Sequence, residues 1–369
     1  MENTVARILD LAIAIQQIPA PTFHEQERAE FVHAKFSECG LAEVQVDAVG
    51  NVYGRMPARG VSRRAPLIIS AHMDTVFPAS VDLHYEREPE RILAPGIGDN
   101  SLGVAGLAGL KWALEEANIS PAGDVWLVAN ICEEGLGDLR GIRAVVDRFG
   151  AGAQAYIVLE GMSLGQIYHR GLGVRRYRVS VHTSGGHSWI DYGKPSAIHE
   201  LTALSTQLAA LELPRNPRTT LNIGVISGGS SVNTIAAEAM LELDLRSENV
   251  ETLESIAGQV EQIVHLAKKP DISVQLEIIG QRPSGEIAMD HPLVKLAQGC
   301  LREVGIEPRL NIGSTDGNLP LSLGYPTITI GLTTGSRAHT VHEYINLTPL
   351  EKGMKQLVAL VSRAWELEK

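Results

Sequence analysis

Residues 66 to 76 read PLIISAHMDTV. The run from Pro66 to Ala71 is apolar in character and does not alternate, which marks a strand buried on both faces, and His72 and Asp74 fall just past its C-terminal end. In an open parallel α/β sheet, that edge is where ligands bind. An imidazole with a carboxylate two residues on also has the make-up of a metal ligand and the acceptor that fixes its tautomer. A single pair of this kind is equally the pattern of a histidine satisfied at a strand end, so the decision lies with the rest of the chain.

The pattern repeats. VWLVANIC (125 to 132) delivers Glu133 and Glu134, AYIVLE (155 to 160) delivers Glu160, and TITIGL (327 to 332) leads into His339. The Gly-rich turn PGIGDN (95 to 100) presents Asp99 at the mouth of a helix that starts near Ser101. Any one of these acids reads as a solvated loop residue. Four strand ends and a helix mouth converging on carboxylates and imidazoles read as a site on a doubly wound, mostly parallel α/β sheet.

The chain has 369 residues, too many for one ordinary core, which suggests two domains. Its 44% apolar content is that of a globular protein, and its net charge of -11 argues against nucleic acid or an anionic membrane as partner. Divalent cations in the site would neutralise part of that charge. Cys39, Cys132 and Cys300 are odd in number and widely spaced, which suits a reducing cytosol and a cytoplasmic location. Cys132 has no thiolate-activating neighbour pattern and reads as a small core residue. The segment from Met1 to Gln17 places Val5, Leu9 and Ile13 at helical spacing broken by Arg7 and Asp10, so it reads as an amphipathic helix and not as a signal peptide. No run is long enough to span a membrane.

A hairpin-like pair, AEVQVDAVGNVYGRMP, precedes the first buried strand, and residues 101 to 117 form a helix whose glycines promise close packing on the sheet. Near Gly171 the strands change character. YRVSVHT, MLELDLR and SVQLEIIG alternate apolar and polar residues, the sign of a sheet covered on one face. With TTLNIGVIS and two amphipathic helices, one carrying Leu201, Leu204 and Leu208 and the other Leu253, Ile256 and Val260, the order is β-α-β-β-α-β. This is a ferredoxin-like domain at 174–283, inserted into a first domain made of 1–173 and 284–369, because metal-type residues resume at His339.

HMDTV, the GDN turn, the EEG pair, Glu160 before a glycine, the GGHS turn and the late HTVHE occur in this order along the chain. Together they resemble the M20 family of dinuclear zinc peptidases and amidohydrolases over essentially the whole chain, and IPAP and HTVHEYINL are most similar to its peptidase T and carboxypeptidase G2 side. The resemblance implies a zinc exopeptidase-like fold with an inserted lid or dimerisation domain and two divalent ions per subunit, most often Zn, with Co or Mn as alternatives. Asp99 would bridge them, with His72 and Glu160 completing one site and Glu134 and His339 the other. Counting four residues to the family's glutamate selects His339, which reaches Glu343, over His342, which reaches Asn346. Glu133 is then left to shuttle a proton from water to the leaving amine, with Asp74 bonded to His72. A cis peptide between Asp99 and Asn100 is also expected.

In the lid, His187 would donate to an oxyanion, and Asn233 and Arg246 resemble the pair that binds the substrate's carboxylate. The plain alternative for Arg246 is pairing with Glu242 or Asp244 on its own strand face. In GSTDGN (313 to 318) backbone amides with Ser314 or Thr315 are a further carboxylate cradle. The reaction implied is hydrolysis of a small peptide or an N-acyl amino acid, with a deacylase as alternative and a catalytically silent binding protein as the contrasting class. Glu133 argues for the enzyme, since a binder has no use for an acid that is not one of the five ligands. The family's dimerising lids imply a homodimer with His187 acting in trans; the alternative is a monomer whose own lid closes.

Overall fold

The computed structural model describes residues 1–60 and 62–367 and divides into two compact units, Met1–Gly171 with Gly285–Lys369, and Leu172–Ser284. The first unit is built on a nine-stranded sheet. Its middle is four parallel strands in the order Val125–Asn130, Leu67–His72, Ala155–Leu159 and Thr327–Ile330. Every residue of the four is buried, which accounts for their unbroken apolar runs. Leu67 lies opposite Val125 and His72 opposite Asn130, so the two strands end level and the polar residues after them emerge along one edge. Antiparallel strands flank this block: Val52–Met56 and then Ala42–Val46 on one side, Gln166–Gly171 on the other. Ala42–Val46 and Val52–Met56 are the hairpin-like pair, and the outer strand is the half-exposed one.

The helix Leu102–Glu116 is buried along most of its length. A Cβ on Gly106 would collide with Leu332, and one on Gly109 with Ile8, so these glycines let the helix lie against its neighbours at close range. A Cβ on Gly103 would collide with the side-chain amide of Asn100. That amide is fully buried; it donates to Leu159 O (2.7 Å) and accepts from Gly161 N (3.0 Å). Gly103→Ala is therefore expected to destabilise the protein by about 1–3 kcal/mol, the range for overpacking, although alanine is the better helix former. A denaturant midpoint equal to or above that of the wild type would show that the turn has room to move.

A small sheet in the same unit orders Gly335–Ser336, Tyr344–Asn346, Arg91–Leu93 and Glu86–Arg87. Among the described residues no helix is long and apolar enough to cross a membrane.

The second unit has a four-stranded antiparallel sheet in the order Thr219–Gly228, Glu238–Ser247, Gly173–His182 and Ser273–Arg282. The helices Ala197–Ala209 and Val250–Leu266 bury Leu201, Leu204, Leu253 and Val260 against inward residues such as Val179 and Leu243. The other face carries ion pairs, Arg176 with Asp244 (2.9 Å) and Arg178 with Glu242 (2.8 Å) and Glu277 (3.2 Å). One oily face and one charged face explain the period-two sequence, and the strand order is that of a ferredoxin-like domain.

Candidate metal centre

His72 closes its strand with its side chain 1% exposed. Its Nδ1 lies 3.0 Å from the main-chain carbonyl of Asp74. Donation there puts the proton of the neutral ring on Nδ1 and leaves the Nε2 lone pair for a metal. Nε2 faces Asp99 Oδ1 at 3.2 Å and Glu160 Oε2 at 3.8 Å.

Asp74 also contacts this nitrogen through its carboxylate, at 3.5 Å, farther than through its own carbonyl, and both carboxylate oxygens have further partners. Oδ1 accepts from Glu133 N (2.9 Å), and Oδ2 accepts from Glu134 N (2.8 Å) and Thr22 Oγ1 (2.8 Å). Asp74 thus orients the ring through its backbone and holds the two-glutamate corner through its side chain.

That corner follows the strand Val125–Asn130. Cys132 takes φ +55°, a left-handed conformation rarely adopted by non-glycine residues, and its N–H donates to the buried Glu25 Oε1 at 3.0 Å. Burial, with the charge of Glu25, pushes the Cys132 thiol up to about 12, in keeping with a core residue and not a nucleophile. Glu133 and Glu134 are 5% and 7% exposed, so carboxylates sit where apolar packing would otherwise be expected. Glu160 follows Ala155–Leu159 and is pinned by its N–H to Ile330 O (2.9 Å).

Asp99 sits on the glycine turn, and the peptide that follows it to Asn100 is cis, as expected. Its two oxygens face different rings: Oδ1 lies 3.2 Å from His72 Nε2 and Oδ2 lies 3.1 Å from His339 Nε2. His339, at φ +63°, also lies 3.1 Å from Glu134 Oε1. One donor atom each from His72, Asp99 and Glu134 falls within 4.8 Å of the others. His342 is exposed, and its N–H donates to Thr340 Oγ1.

The field of the cluster favours positive charge. Hydrogen bonds to Asp99 and Glu134 push His339 up to about 10. Burial opposes a charge on His72, yet Asp74, Asp99 and Glu160 together hold it well above its usual range. Burial likewise opposes ionisation of Asp99, and the hydrogen bonds from His339 and His72 outweigh it, leaving that carboxyl well below the carboxylate range. Mixed imidazole and carboxylate donors suit Zn²⁺, Co²⁺ or Mn²⁺, so the residues present fit divalent ions.

Two buried acids escaped the sequence reading as contributors. Asp316, inside the GSTDGN turn, accepts from Asn130 Nδ2 at 2.7 Å, and burial pushes its carboxyl up to about 7. Glu343 accepts from the backbone of the Asp99 turn, and burial with the charge of Asp99 pushes it up to about 7. The spacing that singled out His339 pointed at Glu343 without giving it a task.

In the second unit, Gly186–His187 pairs with Thr234–Ile235. His187 Nδ1 accepts from Trp189 N (3.2 Å) and Ile190 N (3.4 Å), so the neutral ring carries its proton on Nε2 as a donor. Asn233 is next to this pair; its carbonyl accepts from Ser188 N, and its Oδ1 from Ser231 Oγ. Arg246 is elsewhere. It lies opposite Val174 and Thr220, eight residues along the strand from Glu238, which is roughly 27 Å at the rise of a β-strand. Its guanidinium pairs with Asp244 at 2.6 Å, the plain alternative weighed for it. The expected Asn233 and Arg246 pair is therefore not assembled within one lid, since the strand direction carries the two apart. Ser314 is partly buried between the strand Arg309–Gly313 and the short helix Asn318–Ser322.

Residues 68–363 match the sequence profile of peptidase family M20/M25/M40. The chain belongs to that family. The uncharacterised protein YqjE of Bacillus subtilis strain 168 is 23% identical over 97% of this chain and 98% of its own length. Among solved structures, a tripeptidase of Staphylococcus aureus superposes with a TM-score of 0.81 at 21% identity, covering 98% of this chain and 99% of that one. The YxeP protein of Bacillus subtilis, described as a dinuclear metal-binding peptidase of the M20 family, gives 0.71 at 16% identity with all of both chains covered. At these identities the superpositions speak for the fold. Family M20/M25/M40 membership makes the protein a hydrolase, and its metal-type cluster accords with metal-dependent peptide hydrolysis.

Proposed function

We propose that the protein is a dinuclear zinc exopeptidase or amidohydrolase that cleaves small peptides or N-acyl amino acids bearing a free carboxylate. The observation that carries this reading is Asp99, whose two oxygens face two different imidazoles at 3.2 and 3.1 Å. Asp99 is the shared ligand, His72 and Glu160 complete one set, and Glu134 and His339 the other. Zn²⁺ is the first choice, with Co²⁺ or Mn²⁺ as substitutes. When bound, such ions polarise the scissile carbonyl and make water acidic enough to be deprotonated near neutral pH. Glu133 accepts the proton of the attacking water and returns it to the leaving nitrogen. Asp74 keeps Glu133 in position through the bond to its main-chain amide. His187 offers its Nε2 proton to the oxygen that gains charge as the carbonyl is attacked.

A C₂ homodimer formed through the lid belongs to this reading. His187 and Asn233 sit at one end of the lid sheet, whereas Arg246 sits beside Val174, near where the chain enters the lid at Leu172. Two ends of one sheet some 27 Å apart serve a compact substrate together most simply when they come from different lids. In this arrangement His187 and Asn233 act in trans and Arg246, exchanging Asp244 for the substrate's carboxylate, anchors the substrate's C-terminus, with Ser314 as a further contact. The three free cysteines suit a cytoplasmic location.

A mass-spectrometric screen of the Zn²⁺-loaded protein tests the substrate class, using each peptide free, N-blocked and C-amidated. Amidation is expected to lower kcat/KM about 10- to 100-fold, the loss of a charge-assisted carboxylate contact, and N-blocking is expected to be tolerated. The reverse pattern would assign an aminopeptidase and remove Arg246 from the site.

A further inference from the structure

The two histidines of the cluster are held by different means. His72 ends a buried strand, whereas His339 lies on the loop between Gly335–Ser336 and Tyr344–Asn346 with 55% of its side chain exposed. No strand register fixes a ring on such a loop. At the foot of the loop is Glu343, four residues on and fully buried. Its Oε1 accepts from Gly98 N (2.7 Å) and Asp99 N (2.9 Å), its Oε2 from Gly96 N (3.2 Å), and its main-chain carbonyl from Ala94 N (2.9 Å). A row of backbone amides converging on one carboxyl group is a nest, and here the group that fills it belongs to the protein. It ties the loop that carries His339 to the turn that carries Asp99. The opposite side of that turn has a separate anchor, Asn100, which bonds Leu159 O and Gly161 N on either side of Glu160.

We propose that Glu343 is a positioning residue for the metal centre: it sets Asp99 against His339 and thereby governs binding at the Asp99, Glu134 and His339 half, while strand ends and Asn100 keep the His72 and Glu160 half in place. This inference rests on the ligand assignment proposed above. The shape of the nest gives a two-oxygen side chain at this position a task of its own, three backbone amides to accept from.

The test is Zn²⁺ titration of metal-free protein by isothermal calorimetry with a competing chelator, on the wild type, Glu343→Ala and Glu343→Gln. The wild type should bind two ions; a single ion would refute the ligand assignment itself, independently of Glu343. Glu343→Ala should keep one site within about threefold of wild type and weaken the other about 10- to 100-fold, the range for outer partners of metal ligands. Glu343→Gln retains Oε1 for the Gly98 and Asp99 amides and loses the acceptor for Gly96, so it should weaken the same site by a smaller factor, about 3- to 10-fold. If the alanine variant fails to fold, the glutamine variant decides. Two sites at wild-type affinity, or equal weakening of both, would overturn the proposal in either variant.

Discussion

Asp99→Ala is expected to give a folded protein that binds neither ion tightly and shows no turnover above background. Each of the other proposed ligands faces one half of the cluster, His72 and Glu160 in one, Glu134 and His339 in the other, whereas Asp99 turns an oxygen to each. Removing it takes a donor from both sets at once, so affinity at each should fall by more than the roughly 100-fold seen when only an outer partner of a ligand is lost. The fold should survive. The Asp99 amide still donates to Glu343, and Asn100 still bonds Leu159 and Gly161, because these contacts do not involve the missing carboxylate. Asp99→Asn keeps the shape and loses the charge, and it should fail in the same way. Metal content after dialysis, measured by mass spectrometry beside the unfolding midpoint of the metal-free forms, checks both points. Two ions retained by a stable Asp99→Ala protein would mean that the centre is organised around another residue.

The parts of this site that could be read from the sequence are those delivered by strands. A strand buried on both faces has to be written in apolar residues, so His72, the Glu133 and Glu134 pair, and Glu160 stand out just beyond such runs. Asp99 stood out for a different reason, the glycines Gly96 and Gly98 just before it. Groups that bond the main chain stood out less, and the spacing that marked Glu343 gave it no task. Glu343 and Asn100 work by bonding amides and carbonyls, which every residue possesses, and no spacing rule announces which amide will be met. Asp74 shows the same limit at one residue: HxD spacing brings the aspartate to the histidine, but whether carbonyl or carboxylate takes the ring proton depends on what else the carboxylate meets, here the amides of Glu133 and Glu134. That Asn233 and Arg246 lie at different ends of one lid could not be read, because alternation gives the face of a strand residue and not its position along the sheet.

Glu133→Ala should keep both ions and lose turnover by about 10² to 10⁴ in kcat, with KM little changed. Its backbone amide still binds Asp74 Oδ1, so Glu134 and His72 keep their places, and only the proton carrier is gone. Loss of an ion in this variant would mean that Glu133 and Glu134 exchange roles. The same variant also tests the direction of the lid. Mixed with His187→Ala and reassembled, it forms heterodimers in which each subunit lacks a different group. With His187 acting in trans, the subunit that keeps Glu133 receives the intact His187 of its partner, and purified heterodimers recover about half of the wild-type rate, one good site of two. With His187 acting in cis, the first subunit lacks its proton carrier and the second its oxyanion donor, and neither site recovers. Heterodimers that form in good yield, hold their metal and remain as slow as the parent variants would therefore eliminate the trans arrangement while leaving the metal ligands and Glu133 as assigned.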